Sequence, residues 1–306
     1  AAGDIDGDGL ARVGAALDAA GEQGGAIAVD LEADSAVAAD LVVDAYEPHT
    51  HVAISSAAEG ITVLYHYRLS PEGDGTRLEW TCELEAGGLR IVVDTCAGNA
   101  KHRPLVPMFD QQDGPFLADL SAAGFDPETV DIVVCTHLHV DHVGWNTTLR
   151  DGVWTPTFPR ARYLFAAADI AFWTESNDPM HAPAFADSVQ PVLDAGLVET
   201  VAADRTIVPG VRLVMTPGHT PGHMCVWIGD DCVITGDGVH HPVQCGHPEW
   251  TATGDADPDL ARSTRREFLA TAAATNALVL GTHFAGTSAG HVVRAGNAYR
   301  FAMAPA

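Results

Sequence analysis

The chain of 306 residues is strongly acidic, with 41 Asp and Glu against 16 Lys and Arg and a formal net charge of -25. That charge repels phosphate backbones and anionic lipid surfaces, so we expect neither nucleic acid nor membranes as partners. Hydrophobic residues make up 47% of the chain, but no uninterrupted apolar run reaches the roughly 18 residues that a membrane-spanning helix needs.

From residue 87 onward, short β-branched runs alternate with helical segments, which predicts a layered α/β architecture. The predicted strands are 90–94, 131–135, 162–165, 211–215, 224–228, 232–234 and 277–280. A helix near 116–123 ends at Gly124, and a longer one begins at Asp257-Pro258 and runs to about Asn276. The stretch from His291 to Phe301 predicts a hairpin that turns at 295–298.

Residues 1–86 differ in composition, with an Ala, Gly and Asp-rich opening followed by strand-like runs at 61–70 and 77–85. The stretch from Tyr46 to Trp80 resembles the later strands of START-like ligand-binding domains of the polyketide cyclase type. Such domains end in a long helix, whereas this chain passes directly into a different fold. We therefore expect an α+β accessory segment at 1–86, joined to a catalytic domain at 87–306. Its last strands either complete a partial START-like unit or extend the first sheet of the catalytic domain.

The start of the chain and its cysteines indicate a cytoplasmic protein. The chain begins with neither a basic nor an apolar stretch of the kind found in secretory signals, although a signal already removed would leave the same start. Six cysteines are scattered without CxxC spacing, and several lie in strand-like runs. We expect buried free thiols and a reducing compartment.

The most informative motif is the stretch from His137 to His142, HLHVDH, which follows the predicted strand at 131–135. In an extended segment alternate side chains point the same way, so His137 and His139 can face one metal ion. Asp141 and His142, just past the bend, can reach a second ion. Imidazoles and a carboxylate are ligands that zinc accepts, and a set without cysteine suits a hydrolytic site with open positions. The alternative interpretation is a His-rich solvated loop.

Three later signals favour the metal site over that loop. His219 lies in a Gly and Pro-rich turn after the strand at 211–215, Asp237 ends the next hairpin, and His283 follows the strand at 277–280. Each supplies one ligand-type side chain at a strand end, where a rigid scaffold holds functional groups well. The sequence therefore predicts a metal centre assembled from four separate segments.

Together these motifs resemble the signature of the metallo-β-lactamase superfamily, over residues 88–306. The resemblance implies an αββα sandwich with the site at the edge between its two sheets, and two divalent metal ions, expected to be zinc. Asp94 matches the aspartate that orients a ligand histidine in this family. The implied ligands are His137, His139 and His219 for the first ion and Asp141, His142 and His283 for the second, with Asp237 bridging the two.

Within the superfamily, the chain resembles the branch of methyl parathion hydrolases and quorum-quenching lactonases. Many lactonases carry a tyrosine three residues after the bridging aspartate, where this chain has His240. The glyoxalase II and nuclease branches use basic substrate-binding regions, which this acidic chain lacks. The similarity lies in residues 158–173, 237–244, the helix that begins at Asp257, and 290–301.

The resemblance predicts a hydrolase in which a metal-bridging hydroxide attacks a small ester, lactone or phosphotriester. Metal coordination lowers the pKa of water towards about 7, so no nucleophilic side chain is needed. We assign catalytic roles to Asp141, Asp237 and His240, and the prediction leaves a homodimer open. Two alternatives are a mononuclear iron sulfur dioxygenase of the same fold and a ligand-binding protein with a vestigial metal site.

Several residues near the predicted ligands can be interpreted in two ways. His240 either protonates a leaving group or forms a hydrogen-bonded loop pair with His241. Phe172 and Trp173 either line an apolar substrate pocket or belong to the core. His223 is expected to support its turn, because the family uses His219, the first histidine of that motif, as the ligand.

Overall fold

The computed structural model describes the backbone of residues 27–28, 41–47, 51–58, 61–72, 75–284 and 288–303, and the side chains of 82–284 and 288–303. Within these ranges two large β-sheets pack against each other and carry helices on their outer faces. This arrangement confirms the predicted α/β class and the αββα sandwich. The Ala, Gly and Asp-rich opening of the accessory segment lies outside the described residues.

The first sheet has nine strands in the order β1-β2-β3-β4-β5-β6-β7-β10-β11. They are Ile27–Ala28 (β1), Leu41–Glu47 (β2), His51–Ala58 (β3), Ile61–Glu72 (β4), Gly75–Ala86 (β5), Leu89–Val93 (β6), Ile132–Val134 (β7), Arg162–Ala166 (β10) and Val198–Val201 (β11). The pairings from β1 to β6 are antiparallel, whereas β6, β7, β10 and β11 pair in parallel.

The last strands of the accessory segment extend this sheet, since β5 pairs with β6 from Cys82 opposite Val93 to Ala86 opposite Leu89. The two alternatives for the role of these strands both stay predictions. The START-like resemblance remains a prediction.

The second sheet has seven strands in the order β12 to β18, antiparallel throughout except for the parallel pair β15-β16. They are Arg205–Val208 (β12), Val211–Met215 (β13), Met224–Ile228 (β14), Cys232–Ile234 (β15), Leu278–Leu280 (β16), Ala289–Ala295 (β17) and Ala298–Met303 (β18). A small hairpin lies apart from both sheets and consists of Thr147–Arg150 (β8) and Val153–Pro156 (β9).

The helices lie between the strands along the chain. The α-helices are Phe116–Ala122 (α1), Ala167–Glu175 (α2), Ala182–Ala184 (α3), Gln190–Asp194 (α4), Val243–Gly246 (α5) and Pro258–Thr275 (α6), and a π-helical stretch Phe185–Val189 joins α3 to α4. Short 3-10 turns occur at Pro107–Phe109, Pro127–Thr129, Gly144–Asn146 and Gly236–Gly238. No helix within the described ranges is long and apolar enough to cross a membrane.

Among the residues whose side chains are described, three apolar clusters hold the four layers together. The central cluster lies between the sheets and joins Leu84 and Ile91 of the first sheet to Leu213 and Val226 of the second. A second cluster packs α1, α2 and the π-helical stretch on the first sheet, and a third packs α6 on the second sheet through Phe268 and its neighbours. All six cysteines are buried free thiols, as expected from their spacing.

The sequence signals for helix ends and strand runs correspond closely to the structure. The Asp257 side chain accepts a hydrogen bond from the Leu260 amide and so caps α6, which ends at Asn276 in a left-handed conformation with φ 54°. Strands β13, β14 and β15 have the predicted bounds, and the others shift by one or two residues. The C-terminal hairpin of β17 and β18 turns where predicted.

Candidate metal centre

The HLHVDH motif directly follows β7, whose side chains Val133 and Val134 are fully buried. The backbone oxygen of Thr136 accepts a hydrogen bond from the Met224 amide (2.9 Å), which ties the end of β7 to the start of β14. The motif therefore lies where an end of one sheet meets the other.

Asp237 is the centre of the site, with its side chain only 5% exposed. It follows β15 and reaches the motif because β15 and β14 are hydrogen-bonded neighbours. Five histidine Nε2 atoms surround its carboxylate, from His283 (3.1 Å), His240 (3.2 Å), His142 (3.3 Å), His219 (3.4 Å) and His137 (3.7 Å).

The predicted ligands form two groups on either side of Asp237, and in each group the ligand atoms lie within 4.8 Å of one another. The first group, which we name the closed cluster, consists of His137, His139 and His219, all at most 6% exposed. The second group, the open cluster, consists of Asp141, His142 and His283. The structure thus brings together all seven residues that the sequence predicted as ligands.

Asp94, directly after β6, supports the HLHVDH motif through hydrogen bonds. Its carboxylate is fully buried and accepts hydrogen bonds from the amide and the hydroxyl of Thr136, both at 2.7 Å. Its Oδ2 atom lies 2.9 Å from Nδ1 of His142, so that Nε2 of this imidazole faces Asp237. Orientation of a ligand histidine by a buried carboxylate is the role that the resemblance implied.

His223 holds Asp237 through the backbone. Its Nε2 accepts a hydrogen bond from the Asp237 amide (2.9 Å), and its Nδ1 lies 2.8 Å from the Thr216 hydroxyl. The residue before Asp237 must be glycine, because Gly236 has φ +51° and an added Cβ would come within 2.7 Å of the His223 ring. His223 therefore supports the turn and is absent from both clusters.

Asp169 of α2 is a supporting residue that the sequence analysis missed. Its buried carboxylate accepts hydrogen bonds from the Leu138 amide (3.2 Å), the Thr220 hydroxyl (2.9 Å) and the Gly222 amide (2.6 Å). These contacts tie the HLHVDH motif to the turn that carries His219. Burial raises the pKa of Asp169 to about 6. The signal in the sequence that could have identified Asp169 is the presence of a carboxylate within the apolar stretch after β10.

Aromatic rings pack against His139 of the closed cluster. Trp173 of α2 lies 5.4 Å away and His181 lies 4.2 Å away, as measured between ring centroids. Trp173 is 6% exposed and belongs to the core on the first sheet, whereas its neighbour Phe172 is 42% exposed. The two residues therefore differ, and only Phe172 has a free surface. His181 was not singled out in the sequence.

His240 lies over the site at the end of a fixed loop. Its amide donates a hydrogen bond to Oε1 of Gln244 (2.7 Å), and its ring stacks parallel to that of His283 at 5.7 Å. The side chain is 22% exposed. The His241 amide donates to the same Gln244 oxygen (3.3 Å), but the His241 side chain turns to its own loop, where Nδ1 accepts a hydrogen bond from the Val243 amide (3.1 Å). The geometry separates the two histidines and places only His240 against Asp237.

The electrostatics of the centre favour cation binding. Burial lowers the pKa of His137 and His139 well below the usual value, which keeps both imidazoles neutral. Burial alone would raise the pKa of Asp237, but His283 and His142 outweigh it and hold that pKa well below its usual range. His137 and His139 are thus neutral imidazole donors beside an ionised carboxylate. For His142 and His283, burial alone would lower the pKa, but nearby carboxylates, above all Asp237, raise the pKa of both.

These donors fit a divalent metal ion. Nε2 of His137 is buried and has no hydrogen-bond partner among the described residues, an arrangement that costs about 1–3 kcal/mol unless another group binds it. Nδ1 of His139 and Nε2 of His219 lie 2.9 Å apart, close enough to bind the same ion. Imidazole nitrogens and carboxylate oxygens without thiolates are ligands that zinc accepts in hydrolytic sites.

The fold and the site together define a class of protein: an αββα sandwich with a centre of His and Asp side chains at its strand ends. The model of the Metallo-beta-lactamase superfamily matches residues 84–283. The chain belongs to this superfamily.

Among curated proteins, the chain is similar to N-acyl homoserine lactonases of Bacillus. The lactonase AiiA of Bacillus thuringiensis subsp. kurstaki is 31% identical over 110 residues, which cover 36% of this chain and 37% of that protein. The lactonase of Bacillus cereus is 30% identical over 125 residues, which cover 40% of this chain and 42% of that protein. The matched stretch is thus less than half the length of either relative.

Two solved structures share the fold. AidC, described as a dizinc quorum-quenching lactonase in complex with a product, has a TM-score of 0.69 at 18% identity, covering 84% of this chain and 98% of AidC. The hydrolase AbOPH of the beta lactamase superfamily has a TM-score of 0.67 at 21% identity, covering 85% and 99% of the two chains. At these identities the likeness establishes the fold alone.

Proposed function

We propose that this chain is a dinuclear zinc hydrolase that opens a small lactone, or cleaves a related ester or phosphotriester. The observation that carries this proposal is the pair of ligand clusters joined by the carboxylate of Asp237. Lactone is the preferred substrate class because the curated relatives are N-acyl homoserine lactonases.

The residues of the centre suit a hydrolytic reaction. Two divalent ions bound there would acidify a water towards a pKa of about 7 and polarise the substrate carbonyl. Asp237 contacts histidines of both clusters and keeps them at a fixed separation. The buried closed cluster excludes bulk water, whereas the side chains of Asp141 and His283 are 20% and 30% exposed. Substrate would therefore enter on the side of the open cluster.

His240 is the proposed proton donor to the leaving oxygen. It is the partly exposed imidazole that lies against Asp237 from outside both clusters. A positioned acid typically contributes about 10²- to 10⁴-fold to the rate. Substitution His240→Phe keeps a flat ring against His283 but removes the donor, so kcat should fall within that range with a smaller change in KM. His241→Phe is the matched control, and equal losses in both variants would contradict the role of His240.

The decisive experiment is an activity panel on protein whose metal content has been measured. Metal-loaded protein is assayed with acyl lactones, aryl esters, phosphotriesters and β-lactams. We expect two zinc ions per chain and ring opening of a lactone to the hydroxy acid. Two bound ions without activity on any member of the panel would overturn the substrate class. One iron per chain with sulfur dioxygenase activity would instead establish the mononuclear alternative.

The organisation of the chain and its compartment are part of the proposal. Residues 1–86 are an accessory segment of a catalytic domain at 87–306, joined to it by a common sheet. Cys82, Leu84 and Ala86 of β5 belong to the central apolar cluster, which supports a fixed attachment. The buried free thiols support a reducing cytoplasm.

A further inference from the structure

A buried ion pair lies against the closed cluster and belongs to none of the motifs that identified the site. Asp255, in the segment before α6, and Arg265, within α6, have fully buried side chains, with Nη2 of Arg265 3.6 Å from Oδ2 of Asp255. Oδ1 of Asp255 lies 3.0 Å from Nδ1 of His219. A buried pair of charges is costly unless its geometry and hydrogen bonds are well satisfied, so its position calls for an explanation.

Asp255 fixes the orientation of the His219 ring. With Nδ1 of His219 directed to Asp255, Nε2 is directed to the site, 3.4 Å from Oδ2 of Asp237. The second oxygen of Asp255 accepts a hydrogen bond from the Ala252 amide (3.0 Å). A carboxylate on the far nitrogen of a metal-binding histidine fixes its tautomer and increases its strength as a ligand.

Arg265 connects this carboxylate to the segment that carries Asp237. Its Nε donates to the backbone oxygen of Gly238 (3.0 Å), the residue after Asp237. Its Nη1 donates to the backbone oxygens of Trp250 (2.7 Å) and Pro248 (3.1 Å). Nη2 faces Asp255 at an ion-pair distance and has no hydrogen-bond partner among the described residues. The planar guanidinium holds its three nitrogens in one fixed fork, which a lysine ammonium cannot reproduce.

We propose that Asp255 is a positioning residue for His219, and that Arg265 fixes the distance between His219 and Asp237, so that α6 sets the metal affinity of the closed cluster. This inference rests on the proposed metal centre. In the open cluster His142 has a comparable carboxylate partner in Asp94, but that carboxylate lies at the end of the first sheet. Each cluster thus has one histidine supported by a carboxylate from a different layer of the fold.

The substitution Asp255→Asn isolates this role because the local backbone has other anchors. The amides of Ala256 and Asp257 donate to the backbone oxygens of His219 and Gly218, both at 2.9 Å. The turn that carries His219 therefore stays attached to the start of α6 when the carboxylate is replaced. The matched control is Asp257→Asn, which removes the same charge two residues away, retains a good helix cap and has no side-chain contact with His219.

The test measures zinc affinity by chelator competition on the full chain, together with the absorption spectrum of the cobalt-substituted protein. We expect Asp255→Asn to weaken one of two binding events by about 10- to 100-fold and to change the cobalt spectrum. Asp257→Asn should leave both measurements unchanged. Arg265→Lys keeps the positive charge but loses the planar guanidinium, and it should weaken the same zinc-binding event as Asp255→Asn. This second variant retains Asp255, so it decides the question if Asp255→Asn does not fold.

The outcomes separate this inference from the proposed function. Two tight ions and an unchanged cobalt spectrum in Asp255→Asn and Arg265→Lys would overturn the positioning role while leaving the hydrolase intact. Weakened binding in these variants of a protein that hydrolyses no substrate would support the positioning role and count against the hydrolase. A wild-type chain that binds no metal would overturn both.

Discussion

The two clusters beside Asp237 have similar ligands but opposite exposure. Every side chain of the closed cluster is at most 6% exposed, whereas in the open cluster His142 is fully buried and the other two ligands are not. Structural metal sites are saturated and closed, and catalytic sites keep a position for water or substrate. We therefore propose that the closed cluster holds the centre and that the open cluster meets the substrate.

The contacts that support the ligands are also more extensive in the closed cluster than in the open cluster. The closed cluster is tied to α2 by Asp169 and to the segment before α6 by Asp255. In the open cluster Asp94 supports His142, whereas the polar contacts of His283 among the described residues are with Asp237 and Asp141, which belong to the centre itself. We therefore expect a chelator to remove the metal ion of the open cluster before that of the closed cluster.

The largest effect is expected for Asp237, because its carboxylate serves both clusters. Asp237→Ala should abolish binding at both and lower activity by more than about 100-fold, beyond the range of residues that only support a ligand. Metal content after gel filtration and kcat/KM on the best lactone provide the measurements. If the variant retained two tight ions, Asp237 would not bridge the clusters.

Asp141 should distinguish the two sides. Asp141→Asn removes a ligand of the open cluster alone, so the chain should retain about one ion while losing most of its activity, by about 100-fold. Asp151→Asn is the control for charge, since Asp151 lies in the β8-β9 turn at φ 51°, where asparagine is well tolerated. Loss of both ions from Asp141→Asn would show that the clusters do not behave separately.

The residues that the structure brings together at the candidate site could be named from the sequence because each belongs to a short motif at a strand end. His219, Asp237 and His283 all follow strand-like runs. The alternation of such runs with helices predicted a layered α/β architecture, and the αββα sandwich followed from the family resemblance. The bounds of β14 and β15 were correct because every residue of these two runs is buried and the runs lie next to Gly or Asp. Predictable features were thus local ones.

The supporting residues Asp169, Asp255 and Arg265 could not be predicted, because their role depends on contacts distant in sequence. Asp94 and His223, in contrast, were expected from the family resemblance. Asp169 is 31 residues from Leu138 and 53 from Gly222, and Arg265 lies on an ordinary amphipathic helix. Strands β11 and β12 also escaped detection, since each has four residues with mixed polarity. A single sequence carries no signal for which helix face meets which loop.

Asp169 should contribute a pH dependence of stability that its asparagine variant lacks. Burial raises its pKa to about 6 from 3.8, so the folded state holds the proton more tightly than the unfolded state. The resulting stabilisation is complete below about pH 4 and is lost as the pH rises through 6, which amounts to about 3 kcal/mol for a shift of two units. Metal-free wild type should therefore lose stability relative to Asp169→Asn across this interval.

The measurement is urea unfolding of both proteins at pH 4, 5, 6 and 7. Other groups titrate equally in the two chains, so the difference between the curves reports Asp169. Parallel curves would mean that the three hydrogen bonds it accepts keep its carboxylate ionised throughout. Because these bonds tie the closed cluster to α2, the variant should also lose activity by about 10-fold.

The smallest effect is expected at Phe172, which tests whether the closed side also contacts substrate. Its ring lies 4.8 Å from that of Trp173, which in turn contacts His139, and 42% of the residue is exposed. If an apolar substrate chain lies on this ring, Phe172→Ala removes about 40 Å² of contact, or about 1 kcal/mol, and raises KM about fivefold for long-chain lactones. The value of kcat should stay unchanged, since such contacts stabilise ground state and transition state equally. Leu149→Ala, at a similarly exposed residue of β8, is the control. A lower melting temperature with unaltered KM would make Phe172 a packing residue and leave substrate contact to the open cluster alone.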